Sequence, residues 1–81
     1  MNYEDALDEV QQYAEYCDLW VKWFELELRQ VELMLSSKFT GELQRMMLLG
    51  AKEQIEGWIF SSKQSRAMAE DTLQSLRAKL N

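Results

Sequence analysis

The sequence predicts an all-α protein, an antiparallel hairpin of two long amphipathic helices. Apolar residues recur in alternating steps of four and three over the first 35 residues, which is the spacing of one helical face. Proline is absent, glycine occurs only three times, and good helix formers dominate the remainder. A short polar segment follows, and a second helical pattern begins after it, so we expect the chain to turn back on itself there.

The first helix is predicted over residues 2–36. Asn2 is a favourable N-cap, and Glu4 and Asp5 place negative charge in the first turn, where the helix dipole favours it. Ala6, Tyr13, Trp20 and Met34 widen the apolar seam on one side. The seam itself consists of Tyr3, Leu7, Val10, Ala14, Cys17, Val21, Phe24, Leu28, Val31 and Leu35.

The turn is predicted at residues 36–41 and the second helix at residues 41–79. Thr40 is the expected N-cap of this helix, and Arg77 and Lys79 place positive charge near its C-terminus. The apolar signal fades over residues 61–66. A kink or break there is the alternative to one continuous helix, and it would give three helices.

Folding the chain about residue 38 predicts which residues face each other. Val21 then lies beside Ile55, and Trp20 lies beside Gly57. Glycine inside a helix costs roughly 1 kcal/mol relative to alanine. We therefore expect Gly50 and Gly57 to serve close packing between the helices.

A second apolar stripe on the first helix lies opposite the seam, and on the second helix Met46, Met47, Leu49, Ile59 and Phe60 fall off the main seam. A two-helix hairpin buries only one side of each helix, so the surplus predicts an interface completed into a bundle by a partner. A third helical piece that folds back from the end of the chain is the alternative. The predicted partner-binding residues are Tyr16, Leu19, Trp23, Leu26, Leu33, Met46 and Phe60.

The net charge of −5 is placed unevenly. Residues 1–38 hold nine acidic and three basic residues, a net of −6, and residues 39–81 hold five acidic and six basic residues, a net of +1. An acidic surface repels phosphates, so neither nucleic acid binding nor docking on an anionic membrane surface is expected. Membrane insertion is not expected either, because it needs a long apolar run. No apolar run is long enough to span a bilayer, and the N-terminal segment has no signal-peptide pattern, which together predict a cytoplasmic protein.

The residues that usually carry catalysis are scarce. The chain has no histidine, and its one cysteine, Cys17, falls on the apolar seam. Glu53 and Glu56 are spaced to share a metal, but di-metal sites in helical bundles normally add histidines. The sequence therefore predicts no enzyme, no cofactor and no metal site.

The order of a long helix, a short polar turn and a second helix resembles the YscE-type co-chaperones of type III secretion systems. The second helix carries the resemblance with Ala51-Lys52-Glu53-Gln54-Ile55-Glu56-Gly57-Trp58-Ile59. Those proteins are short helical hairpins that, with a second chaperone, hold the needle subunit soluble before export. The resemblance implies a helical-hairpin fold and a chaperone function, and it transfers no functional residue.

Three functions remain open on the sequence. The first is a small adaptor or co-chaperone that captures an amphipathic helix of a partner on the apolar face of its first helix. The second is a homodimeric four-helix bundle with a structural or regulatory role. The third is a phage-type inhibitor whose acidic arm, residues 4–18, imitates DNA.

Overall fold

The structure, a computed structural model, describes residues 2–80 and confirms the all-α hairpin. Helix α1 spans Tyr3–Leu35 and helix α2 spans Glu42–Leu80. The two helices pack antiparallel along their length and form a rod of 59 × 17 × 14 Å. Residues 36–41 connect them, as the sequence predicts.

The first turn of α1 begins as its sequence indicates. The side chain of Asn2 accepts a hydrogen bond from the backbone N–H of Asp5 at 2.9 Å. Glu4 and Asp5 lie in the first turn, close to the positive end of the helix dipole. One of the N–H groups that a helix start leaves unpaired is thereby satisfied.

Side chains of the connecting segment and of α2 pair with the last carbonyls of α1. The hydroxyl of Thr40, expected to cap α2, instead donates to the carbonyl oxygen of Met34 at 2.6 Å. The guanidinium of Arg45 donates to the carbonyl oxygen of Leu35 at 2.7 Å, and the Ser36 hydroxyl donates to that of Leu33 at 2.8 Å. The turn is therefore attached to the end of α1, whose carbonyls have no partner within the helix.

Helix α2 is continuous through residues 61–66, so the single second helix is confirmed and the alternative of a break that gives three helices is absent. The weak apolar signal there has a packing cause. Ser62 is buried, and the most buried residues of α1 are the similarly small Ala14 and Cys17. In a two-helix structure a buried residue must lie between the helices, so small residues on both sides allow close approach.

The predicted register between the helices is wrong by one to two helical turns. Trp20 lies against Ser61 and Ser62 rather than beside Gly57. Val21 lies beside Lys63 and Arg66 rather than beside Ile55. The sequence-based register assumed a symmetric turn, whereas Arg45 reaches back to the last residue of α1, so the first turn of α2 extends past that end.

The expected role of the helical glycines is also wrong. A Cβ atom added at Gly50 or Gly57 would meet no other atom within 4 Å, so neither glycine is needed for packing within the hairpin. Ile59, which the spacing placed off the seam, is buried between the helices together with Ile55, Ala69 and Leu73. Ile59 lies four residues after Ile55 and three before Ser62, both buried, so it shares their face of α2.

An ion-pair cluster joins the helices on one side. The guanidinium of Arg66 on α2 lies 3.1 Å from the Asp18 carboxylate on α1 and 2.9 Å from the Glu70 carboxylate on its own helix. Hydrogen bonds to Glu70 and Asp18 raise the pKa of Arg66 above its ordinary value. This cluster identifies the charged side of the hairpin. No helix within residues 2–80 is long and apolar enough to cross a membrane.

Candidate protein interface

The hairpin exposes more large apolar side chains than it buries. Among the described residues, eighteen large hydrophobic side chains are exposed, whereas the buried core contains six hydrophobic residues. Two helices alone cover only the lines along which they touch, so the remainder stays in water. Exposed apolar patches of this extent usually mark interaction surfaces.

One side of the hairpin carries an apolar groove between the helices. Its first hollow is lined by Val10, Tyr13, Met68 and Ala69, together with Glu9, Ser65 and Thr72. Its second hollow is lined by Trp20, Phe24, Trp58, Ser61 and Ser62. Its third hollow is lined by Met34, Thr40, Gln44, Met47 and Leu48.

The three hollows lie on one side because the helical repeat aligns their residues. Tyr13, Trp20 and Met34 are seven and fourteen residues apart on α1, so they lie on one line of that helix. Met47 and Ser61 are fourteen residues apart on α2 and form the facing line. We call this side the apolar groove. Its hollows are open to solvent.

The opposite side of the hairpin is charged. We call it the charged channel, and Asp18, Val21, Lys22, Glu25, Lys63 and Arg66 line it. Three of those six residues are cationic, whereas none of the residues that line the three hollows of the apolar groove is Lys or Arg. The cations among these lining residues therefore all lie in the charged channel and none lies in the apolar groove.

A polar pair interrupts the apolar groove between its second and third hollows. Glu27 lies seven residues after Trp20 and seven before Met34, so it occupies the same line of α1. Gln54 occupies the equivalent place on α2, seven residues after Met47. Glu27 is half-buried, and its carboxylate accepts a hydrogen bond of 2.9 Å from the indole N–H of Trp23.

The seven predicted partner-binding residues are all exposed, but they do not form one surface. Leu19, Leu26 and Leu33 are seven residues apart and lie on the outer face of α1, turned away from α2. Met46 and Phe60 each lie two residues before a residue that is turned toward α1, namely Leu48 and the buried Ser62, so they project from the outer face of α2. These outer faces point in opposite directions, and one partner helix cannot touch both.

The other two predicted residues connect the outer face of α1 to the apolar groove. Tyr16 and Trp23 lie between the line of Leu19 and the line of Trp20, and both are more than half exposed. The apolar surface is therefore continuous from the groove round to the outer face of α1. On α2 the charged residue Glu53 separates Met46 from Phe60 along the outer face.

Sequence reasoning did not identify the groove itself. The sequence indicates only that Tyr13, Trp20 and Met34 widen the apolar seam, whereas in the structure each of these side chains is at least 45% exposed. The seven-residue spacing of this row was the available signal. Deciding whether it lay inside or outside required the correct register of α2.

The described residues include no group of three His, Cys, Asp or Glu side chains that could hold a metal ion. Cys17 is free and buried between the helices. No family model, no curated protein and no solved structure matches this chain.

Proposed function

We propose that this protein is a small non-enzymatic binding protein, an adaptor or co-chaperone, that takes up an amphipathic helix of a partner protein in the apolar groove. The observation that carries the proposal is the row of three apolar hollows between α1 and α2. A third helix laid along such a groove completes a helical bundle, because its apolar side chains enter the gaps between the first two helices.

The aromatic residues of the groove support an interface over a solvated face. Trp20 and Trp58 line the central hollow and remain about half exposed. Tryptophan is among the residues that contribute most when an interface buries them. The continuous surface through Tyr16 and Trp23 extends the contact, so a partner can bring a second helix against the outer face of α1.

In its most specific form the partner is an aggregation-prone helical subunit that the hairpin keeps soluble until assembly or export. The support for this form is the hairpin architecture that resembles the type III secretion co-chaperones. A cytoplasmic location belongs to the same proposal.

A homodimeric four-helix bundle is the second candidate. The same exposed apolar surface favours it, because two copies can cover each other's grooves. Sedimentation of the purified chain separates the two candidates. A monomer throughout the micromolar range supports capture of another protein, and a stable dimer at low micromolar concentration supports self-assembly.

Site-specific photo-crosslinking in the native host tests which surface is used. A photoreactive residue is placed in separate variants at Trp20 in the groove, Leu26 on the outer face of α1, Phe60 on the outer face of α2 and Lys63 in the charged channel. We expect adducts to one protein from position 20 and none from position 63. Equal adducts from positions 20 and 63, or none from position 20, would contradict the proposal. An adduct of two copies of this chain would support the homodimer.

A further inference from the structure

The charge pattern of the apolar groove indicates the chemistry of its occupant. We propose that the groove selects an amphipathic helix that carries Lys or Arg opposite Glu27, between apolar anchors for the second and third hollows. This inference rests on the proposed function and adds the partner's charge and spacing to it.

Glu27 is the residue that a docked helix must accommodate. It is the one charged member of the line formed by Tyr13, Trp20, Glu27 and Met34, and it is already half-buried in the uncomplexed hairpin. A helix laid along this line removes the remaining water from the carboxylate. One hydrogen bond from the Trp23 indole does not balance a buried negative charge, whereas a Lys or Arg from the partner supplies the counter-charge and a charge-assisted hydrogen bond.

The facing helix supports the same ligand. Gln54 lies at the level of Glu27, because the hollow before this level joins Trp20 to Ser61 and the hollow after it joins Met34 to Met47. An amide oxygen and a carboxylate together provide acceptors for a guanidinium or an ammonium group. The indole of Trp23 donates to the Glu27 carboxylate and keeps that group beside the groove.

Within the described part of the chain, no Lys or Arg side chain forms an ion pair with the Glu27 carboxylate, since the ion pairs found within 4.0 Å are those of Arg66 with Asp18 and Glu70. Among the residues that line the hollows of the groove, the charged one is the acidic Glu9, and Lys22, Lys63 and Arg66 all lie in the charged channel. A second copy docked groove to groove would therefore bring two Glu27 carboxylates into the interface without a cation for either. An anionic membrane surface would face Glu9 and Glu27. The charges favour a different protein with a basic helix.

The spacing of the hollows defines the apolar part of the ligand. Tyr13, Trp20 and Met34 are apolar anchors, spaced by seven and then by fourteen residues. Glu27 lies in the middle of the longer interval, seven residues from Trp20 and seven from Met34. A helix packed alongside presents side chains at the same heptad intervals. The matching helix thus has apolar residues on three heptads and a Lys or Arg on the remaining one.

Selection from a displayed peptide library tests this assignment. The library consists of helices of about 28 residues, four heptads long, with apolar and flanking positions randomised. The baits are the full chain as wild type, Glu27→Lys and Glu27→Gln. Glu25→Lys is the matched control, because Glu25 lies two residues away in the charged channel. Circular dichroism of each bait verifies that the helices remain.

On the wild type we expect one position of the apolar stripe to become Lys or Arg, seven residues from each of two apolar anchors. On Glu27→Lys the same position should change to Asp or Glu, on Glu27→Gln the charge preference should disappear, and on Glu25→Lys it should remain. Exchanging the peptide's cation for Glu should raise the Kd for the wild type at least about tenfold.

If helices selected on Glu27→Lys still carry Lys or Arg at this position, the inference is overturned. The proposed function then still stands, provided that the selected helices bind at Trp20 in the groove. Failure to select any helix on the wild type would overturn both. Stable groove-to-groove dimers, or co-sedimentation of the chain with phosphatidylglycerol vesicles, would also overturn the inference, because each would show that the acidic groove accepts an occupant without a basic helix.

Discussion

The ring of Phe24 on α1 lies 5.4 Å from the ring of Trp58 on α2, with the two planes tilted by 40°. This tilted contact lies at the floor of the central hollow and fixes the position of Phe24 along α1 relative to that of Trp58 along α2. It belongs to the same register as the Asp18–Arg66 ion pair on the opposite side of the hairpin. Two independent contacts on opposite sides thus specify how the helices are aligned.

Breaking the aromatic pair should reveal a coupling between the helices. We expect a double-mutant cycle with Phe24→Leu and Trp58→Leu to give a coupling free energy of about 0.5–1.5 kcal/mol, the usual range for aromatic pairs. Urea unfolding followed by circular dichroism measures it. The control cycle pairs Trp23→Leu with Trp58→Leu, and it should show no coupling, because Trp23 is exposed on α1 and pairs with Glu27 of its own helix. Equal couplings in the two cycles would contradict the register.

Replacing the helical glycines should stabilise the isolated protein. Gly50 and Gly57 lie inside α2, and a Cβ atom at either meets empty space. We expect Gly50→Ala and Gly57→Ala each to raise the free energy of unfolding by about 0.5–1 kcal/mol through helix propensity. Gly41→Ala is the control, because Gly41 precedes α2 and should gain nothing from helix propensity. A loss of stability at position 57 would show that the glycine packs against α1 after all.

The thiol of Cys17 should be protected from alkylation. Its side chain has no exposed surface and lies between the helices. We expect labelling in native buffer to be slower than in denaturing urea by at least about tenfold, because the reagent must wait for the hairpin to open. The rate is followed by mass spectrometry at a constant pH. Equal rates in the two conditions would mean that α1 and α2 do not pack stably in the isolated chain.

The N-cap of α1 should contribute measurably to stability. The Asn2 side chain pairs with the N–H of Asp5, and Asn2→Ala removes that acceptor. We expect a loss of about 1 kcal/mol in the free energy of unfolding. Asn2→Asp keeps an acceptor and adds negative charge at the helix start, so it should retain the wild-type stability or exceed it. Thermal melts of the three proteins decide the matter, and an Asp variant as weak as the Ala variant would argue against capping.

Much of the fold follows from local pattern in the sequence. The N-cap of α1 at Asn2, the length of that helix and the site of the turn all depend on neighbouring residues, namely caps, apolar spacing and the polar connecting segment. The continuity of α2 does not follow from local pattern, because Ser62 is a polar residue in the sequence and is nevertheless buried in the structure. A small side chain is compatible both with a break and with close packing, and only the other helix distinguishes these outcomes.

The candidate interface also has one part that the sequence predicts and one part that only the tertiary structure shows. Exposure of Trp23 and Leu26 follows from their position opposite the seam, which any helix would produce. The apolar groove depends on which residues of α2 lie beside Tyr13, Trp20 and Met34. The predicted register places Gly57 where Ser61 lies and therefore conceals the groove.

The sequence by itself determined that this protein is a hairpin of two amphipathic helices with more apolar surface than the hairpin can bury, because helix formation and amphipathicity are local and periodic properties. Only the tertiary structure decided where that surplus lies. Alignment of α1 with α2 is a non-local property, set by contacts such as Phe24 with Trp58 and Arg45 with the end of α1. That alignment joins three hollows into one groove, places Glu27 on the line of that groove, and places Lys22, Lys63 and Arg66 on the other side.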